Sequence, residues 1–193
     1  MTLSSKIKSI FQPSAKWSVA ALLSIGFFVG LFFIVGFNTS LKMTSTTEFC
    51  VSCHEMEAPY MALQKTSHYL NAGGTTATCA DCHIPHEFFP KIIRKIQASR
   101  EVWGHLTGVI DSPEKYAAHT SVMREREIAR LRANDSRECR NCHSTEKWVL
   151  TLQSAKSQEF HIAEELNNKT CIDCHAGIAH MPASQVNDDT GEF

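Results

Sequence analysis

Cys-x-x-Cys-His occurs four times in this 193-residue chain, as Cys50-Val-Ser-Cys53-His54, Cys79-Ala-Asp-Cys82-His83, Cys139-Arg-Asn-Cys142-His143 and Cys171-Ile-Asp-Cys174-His175. The four copies use all eight cysteines. This is the attachment signature of c-type haem: two thiols form thioethers with the porphyrin vinyl groups, and the adjacent His stands under the iron. Zinc does not require a His directly after every second Cys, and a thioredoxin-like Cys-x-x-Cys sits once in a βαβ pattern that is absent here. Four large apolar macrocycles among about 155 residues must supply much of any core. The expected fold class is therefore mainly α, a small haem-packed multihaem cytochrome c domain that does not form without its four covalent haems.

Ahead of the first motif, Trp17 to Phe37 runs 21 residues without a charge. As a helix it spans about 31 Å, enough for a bilayer core. Lys6, Lys8 and Lys16 precede it with no acidic residue among them, which places the N-terminus in the cytoplasm. A cleaved signal peptide has an apolar stretch of only about 7–15 residues and an A-x-A-like site, and GFNTSLKM offers none. The expected organisation is a cytoplasmic segment 1–16, a transmembrane helix 17–37 and a periplasmic tetrahaem domain 38–193, single-pass in a bacterial inner membrane. That compartment is oxidising, yet no cysteine is left for a disulfide. The formal charge of −1 becomes more acidic with the haem propionates, and no basic stripe with interleaved aromatics points to nucleic acid.

The motifs fall into two pairs, 29 residues apart in the first and 32 in the second. The second member of each pair reads Thr-Cys-x-Asp-Cys-His, at Thr78–His83 and Thr170–His175. A further His follows each (His86, His180) and another precedes each (His68, His161). The matched offsets define a duplicated di-haem module, about 45–110 and 135–182. Between the modules, Phe88, Phe89, Ile92, Ile93, Ile96, Trp103 and Leu106 recur at helical spacing. Asp111-Ser112-Pro113-Glu114 caps a second helix that runs to about Ala133, and its REREIARLR charges read as a solvated face. A third helix is expected over Glu146–Leu166, followed by a frayed polar tail, NDDTGEF.

Each c-type haem takes one ligand from its own motif, here His54, His83, His143 or His175, and usually a second from elsewhere. The repeat singles out His68, His86, His161 and His180 as distal candidates. His105 and His119 lack a repeat partner and read as ordinary hydrogen-bonded or surface histidines. Met56 follows the first motif so closely that its thioether rivals His54 as the ligand of the first iron, and spacing leaves both open.

The uncharged N-terminal helix, the Cys50–Met56 CxxCHxM motif, CADCHIPHEF, NDSRECRNCH and TCIDCHAGIAH together resemble the NapC/NirT (NrfH-like) family of membrane-anchored tetrahaem quinol dehydrogenases over nearly the whole chain, the NapC type most of all. The resemblance implies Met56 on the first haem, His68 on the fourth and His180 on the third. It implies Lys95 as distal ligand of the second haem, with His86 as a rival from this chain's own repeat, and Glu101 beside the first haem and the quinol. Between Lys95 and Glu101 the chain is one residue shorter than the NrfH type. On an unbroken helix those two side chains then point about 120° apart.

The implied function is oxidation of membrane quinol, menaquinol or ubiquinol, with electrons passed through four haems to a periplasmic reductase, nitrate reductase first. Glu101 would take a proton, and Lys95 or Lys91 would bind the quinol oxygen. A nitrite or other periplasmic reductase as partner, or a terminal multihaem reductase in its own right, are the alternatives. The expected partners are the quinol pool, the lipid bilayer and the reductase, and a homo-oligomer stays open.

Overall fold

The computed structural model describes residues 16–167 and 169–180, the side chains of 163–168 excepted. The segment 1–15 and the tail expected to fray lie outside the described residues. The chain divides into two compact units, one ending at Thr44 and one beginning at Ser45.

The first unit contains helix α1, Val19–Met43. A mean hydropathy of 2.5 over an 18-residue window and its 25 residues make it long and apolar enough to cross a membrane, and none of its residues is buried. The helix starts two residues later than the apolar run because Ser18 is its cap, the hydroxyl accepting from the Ala21 amide at 3.2 Å. It also continues six residues beyond Phe37. There Asn38 donates to the Ile34 carbonyl at 2.8 Å, and the Thr44 hydroxyl closes on the Ser40 carbonyl at 2.7 Å. Hydropathy bounds the membrane-crossing stretch; local hydrogen bonding carries the helix further.

The second unit is short helices joined by turns, with no strand among the described residues. In order they are α2 (Thr47–Val51), a 3₁₀ turn (His54–Met56), α3 (Glu57–Leu63), α4 (Cys79–His83), α5 (Phe88–Leu106), α6 (Pro113–Ala133), α7 (Arg137–Arg140), 3₁₀ turns at Thr145–Lys147 and Leu150–Leu152, α8 (Ala155–Asn167) and α9 (Cys171–His175). The second and fourth motifs are complete one-turn helices. Each is nucleated by a capping box: the Asp81 carboxylate takes the Thr78 amide and hydroxyl, both at 2.7 Å, and Asp173 takes those of Thr170 at 2.8 and 3.0 Å. The repeated Thr and Asp thus hold the two cysteines and the His in one turn.

Helix α5 ends in a Schellman motif. Val109 N–H reaches the Gly104 carbonyl and Gly108 N–H that of His105, with Gly108 at φ +76°, a conformation that suits glycine. Ser112 then caps α6, accepting from the Lys115 amide, with Pro113 in the first turn as the sequence predicts. At its far end Ser136 N–H closes on the Leu131 carbonyl past Asp135, at φ 57°. Ser136 is wholly buried, and its hydroxyl accepts from the Ile172 amide at 3.1 Å, tying the third motif to the fourth.

The helix expected over Glu146–Leu166 is shorter. Glu146 and Lys147 lie in a 3₁₀ turn and Trp148 is extended. The α-helix begins at Ala155, where the Ser154 hydroxyl accepts from the Ser157 amide at 3.2 Å. A serine cap and a Trp148 ring whose centre lies 4.5 Å from that of His161, tilted by 41°, override helical periodicity here. The polypeptide's own core is very small: among the described aliphatic residues only Leu63 and Ile110 are buried.

Candidate haem centres

The four motifs adjoin one another in chain order. Helix α2, which carries Cys50, packs on α4, and the Cys50 and Cys79 thiols hydrogen-bond. Helix α4 packs in turn on α7, which carries Cys139, and the Cys139 thiol hydrogen-bonds that of Cys171.

Each motif histidine also faces a second imidazole. Ring centres of His83 and His180 are 6.0 Å apart, those of His68 and His143 6.2 Å, and those of His161 and His175 6.2 Å. His54 and His105 stand at 5.8 Å. Two imidazoles on one metal, at bonds of about 2 Å, put ring centres roughly 6 Å apart. Burial and a neighbouring imidazole hold His68 and His180 below the usual histidine range, so both favour the neutral form that a metal needs. Each has a buried Nδ1 with no hydrogen-bond partner. The residues present therefore fit covalently held haem with nitrogen axial ligands.

The spacing-based candidates are distributed as follows. His68 lies across from His143 and His180 across from His83. His161 lies across from His175, with its Nδ1 on the Gln153 side-chain oxygen. His86 is exposed and reaches back to Asp81 at 3.9 Å. Lys95 is half-buried near Cys50 of the first motif; burial lowers its pKa, and neighbouring Lys91 adds to this. Met56 is half-buried at the end of the first 3₁₀ turn. Glu101 stands 3.7 Å from Arg126 and has one buried oxygen without a hydrogen-bond partner. His119 is exposed and pairs with the Lys115 carbonyl at 2.8 Å.

His105, ordinary by its sequence position, stands beside His54 and is bonded to the buried carboxylate of Glu55. The charged face of α6 was also expected to be solvated. Instead Glu127 holds His83 Nδ1 at 2.9 Å, and the Arg130 guanidinium bridges Glu127 at 2.7 Å, Glu138 at 2.6 Å and the Cys82 carbonyl at 3.3 Å. Arg94 adds a contact to Glu127 at 3.5 Å. Burial opposes charge on Glu127, but His83 and Arg130 outweigh it and hold the carboxyl at about 2. The acid that fixes His83 is 44 residues away in sequence, and no local pattern marks it.

The fold and motifs define a multihaem c-type cytochrome with an N-terminal helix able to anchor it. The profile of the NapC/NirT cytochrome c family, N-terminal region, matches residues 12–185. The chain is 44% identical over 180 residues to the denitrification system component NirT of Stutzerimonas stutzeri, covering 92% of this chain and 90% of that protein. It is 46% identical over 171 residues to the cytochrome c-type protein NapC of Escherichia coli strain K12, covering 88% and 86%. It is 41% identical over 171 residues to the cytochrome c-type protein TorC of the same strain, covering 88% of this chain and 44% of that one. No solved structure matches the chain significantly. The chain belongs to the NapC/NirT cytochrome c family.

Proposed function

We propose that the chain is a membrane-anchored quinol dehydrogenase that passes electrons from the quinol pool to a periplasmic reductase, nitrate reductase first. The observation that carries the reading is the run of four imidazole pairs set along motifs that adjoin in order. The bound haems supply one-electron redox chemistry. In this reading His54 and His105 serve the first haem, His83 and His180 the second, His143 and His68 the third, and His175 and His161 the fourth. His68 and His180 each move one haem earlier than the resemblance implies. Lys95 and His86 then stay off the second iron, and Met56 packs beside the first.

Oxidising a quinol to a quinone releases two electrons and two protons. The unpartnered oxygen of Glu101 accepts one proton, and the other leaves to water. Lys91 and Lys95, on the same helix, donate hydrogen bonds to the quinol oxygen. Lys6, Lys8 and Lys16 ahead of α1, against Lys42 alone in its last turn, support a cytoplasmic N-terminus and a periplasmic haem domain.

Menaquinol or ubiquinol supplied to the protein in liposomes should reduce its haems, and nitrate reductase with nitrate should reoxidise them. Failure of both quinols to reduce any haem removes the proposal. Reoxidation by nitrite or hydroxylamine with no partner present would favour the terminal-reductase reading instead.

The pairing has its own test, by counting spins. If His83 and His180 share one iron, the double variant His83→Ala/His180→Ala loses one low-spin haem by EPR quantitation. Loss of two places them on different irons.

A further inference from the structure

Helix α5 is amphipathic in the reverse sense for a soluble domain. Its charged side faces the protein: Arg94 contacts Glu127 of α6, Glu101 contacts Arg126, and His105 bonds Glu55. Half-buried Lys95, at the border between the two sides, lies near Cys50. The opposite side carries Phe88, Phe89, Ile93, Ile96, Trp103 and Leu106. Phe89 is 75% exposed, Ile96 67%, Trp103 67% and Leu106 71%. The contacts of Arg94, Glu101 and His105 with α6 and Glu55 are made from the charged side, opposite the exposed Phe89, Ile93, Ile96 and Trp103.

We propose that this apolar face of α5 lies in the lipid headgroup region of the bilayer, as a second, interfacial attachment beside the α1 anchor. Three observations select lipid over a protein partner. Glu55, which His105 of α5 grips, stands only twelve positions after Met43, the last residue of α1, a reach of at most about 43 Å that bounds how far His105 can lie from the end of α1. The exposed face carries no acidic side chain and one cation, Arg100, which falls between Phe89 and Ile93 at about 100° per residue, an arrangement that suits anionic headgroups. Its large members are three aromatics and branched aliphatics, with Trp103 suited to the interface between hydrocarbon and water. The seating would also bring Lys91, Lys95 and Glu101 to the depth from which a lipid-soluble quinol arrives.

The proposal rests on α1 as a membrane anchor, and the test separates the two. The photocrosslinker p-benzoylphenylalanine is installed singly at Phe28 in α1, at Ile96 and Trp103 in α5, and at Ser121 on the exposed side of α6. The full-length proteins are irradiated in native membranes, and adducts are identified by mass spectrometry on molecules with full haem content. Phospholipid adducts at positions 28, 96 and 103, and none at 121, are expected. A lipid adduct at 28 with none at 96 or 103 overturns the α5 proposal and leaves the anchor standing. Adducts at 96 and 103 to a second copy of the chain, or to another protein, overturn it in favour of a protein interface. Absence of lipid adducts at 28 removes the anchor reading itself.

Discussion

His83 shows how a single residue is tuned from a distance. Its Nδ1 is held at 2.9 Å by Glu127, whose charge is in turn shared with Arg130 and Arg94. A carboxylate on the outer nitrogen of a metal-bound imidazole fixes the ring and raises its donor strength, which stabilises the oxidised iron. Glu127→Gln keeps the shape and removes the charge. One haem potential should therefore rise, on the order of 60 mV for a tenfold change in relative stabilisation of a one-electron couple. Redox titration followed at the haem bands measures it. If every haem potential stays put while Glu127→Gln keeps its haems, the carboxylate only braces α6. Glu127 also marks a limit of sequence reading: REREIARLR reads as a solvated stretch until the fold turns two of its charges onto the second motif. Glu55 repeats the lesson, a nearly buried acid whose partner His105 had no repeat position to announce it.

The elements were legible where local chemistry is self-sufficient. Ser112-Pro113 opens α6 as expected, the apolar periodicity of α5 marks a real helix, and the four motifs need only their cysteines and histidines. Legibility failed where side chains cut across the pattern, as at Ser154, which delays α8 to Ala155. The apolar stripe of α5 marks the helix but not which side is buried, which is set by the partners that Arg94, Glu101 and His105 find inside. The repeated Thr-x-x-Asp is the element-level device with the clearest consequence. A one-turn helix has no length from which to draw stability, so its cap is a large share of what holds it. Thr78→Val and Thr170→Val should each cost about 1 kcal/mol of stability, read as a lower melting temperature. The loss should be accompanied by poorer haem loading at that motif, since the cysteines no longer wait in one turn. Melting and haem content both equal to the parent's would show that the bonded haem alone shapes the turn. Gly108→Ala should also destabilise, because its φ of +76° is costly for a residue with a Cβ. There, haem content should stay at that of the parent.

For the whole molecule the decisive quantity is the apolar area that the chain can bury by itself. Leu63 and Ile110 are its buried aliphatic side chains among the described residues, whereas Phe49, Met61, Leu70, Val149, Leu152 and Phe160 are all exposed. At about 25 cal/mol per Å², two side chains provide a few kcal/mol. Ordering each residue of the backbone costs about 1–2 kcal/mol, which two aliphatic side chains cannot offset for a unit of this size. Hydrogen-bonded caps and ion pairs such as Arg130–Glu138 fix geometry but add little net stability. The haem-bearing unit must therefore fold onto its cofactors, in keeping with the family's covalent haem c. Helix α1 needs none, because its stability comes from backbone hydrogen bonds within an apolar medium. Full-length chain made in cells that cannot attach haem, then purified in detergent, separates the two. Its circular dichroism should retain the signal of one 25-residue helix and lose the remainder, with rapid proteolysis beyond Ser45 and protection of the detergent-covered part. Retention of the full helical signal and of protease resistance without haem would mean that the polypeptide supplies its own core, against the burial pattern it presents.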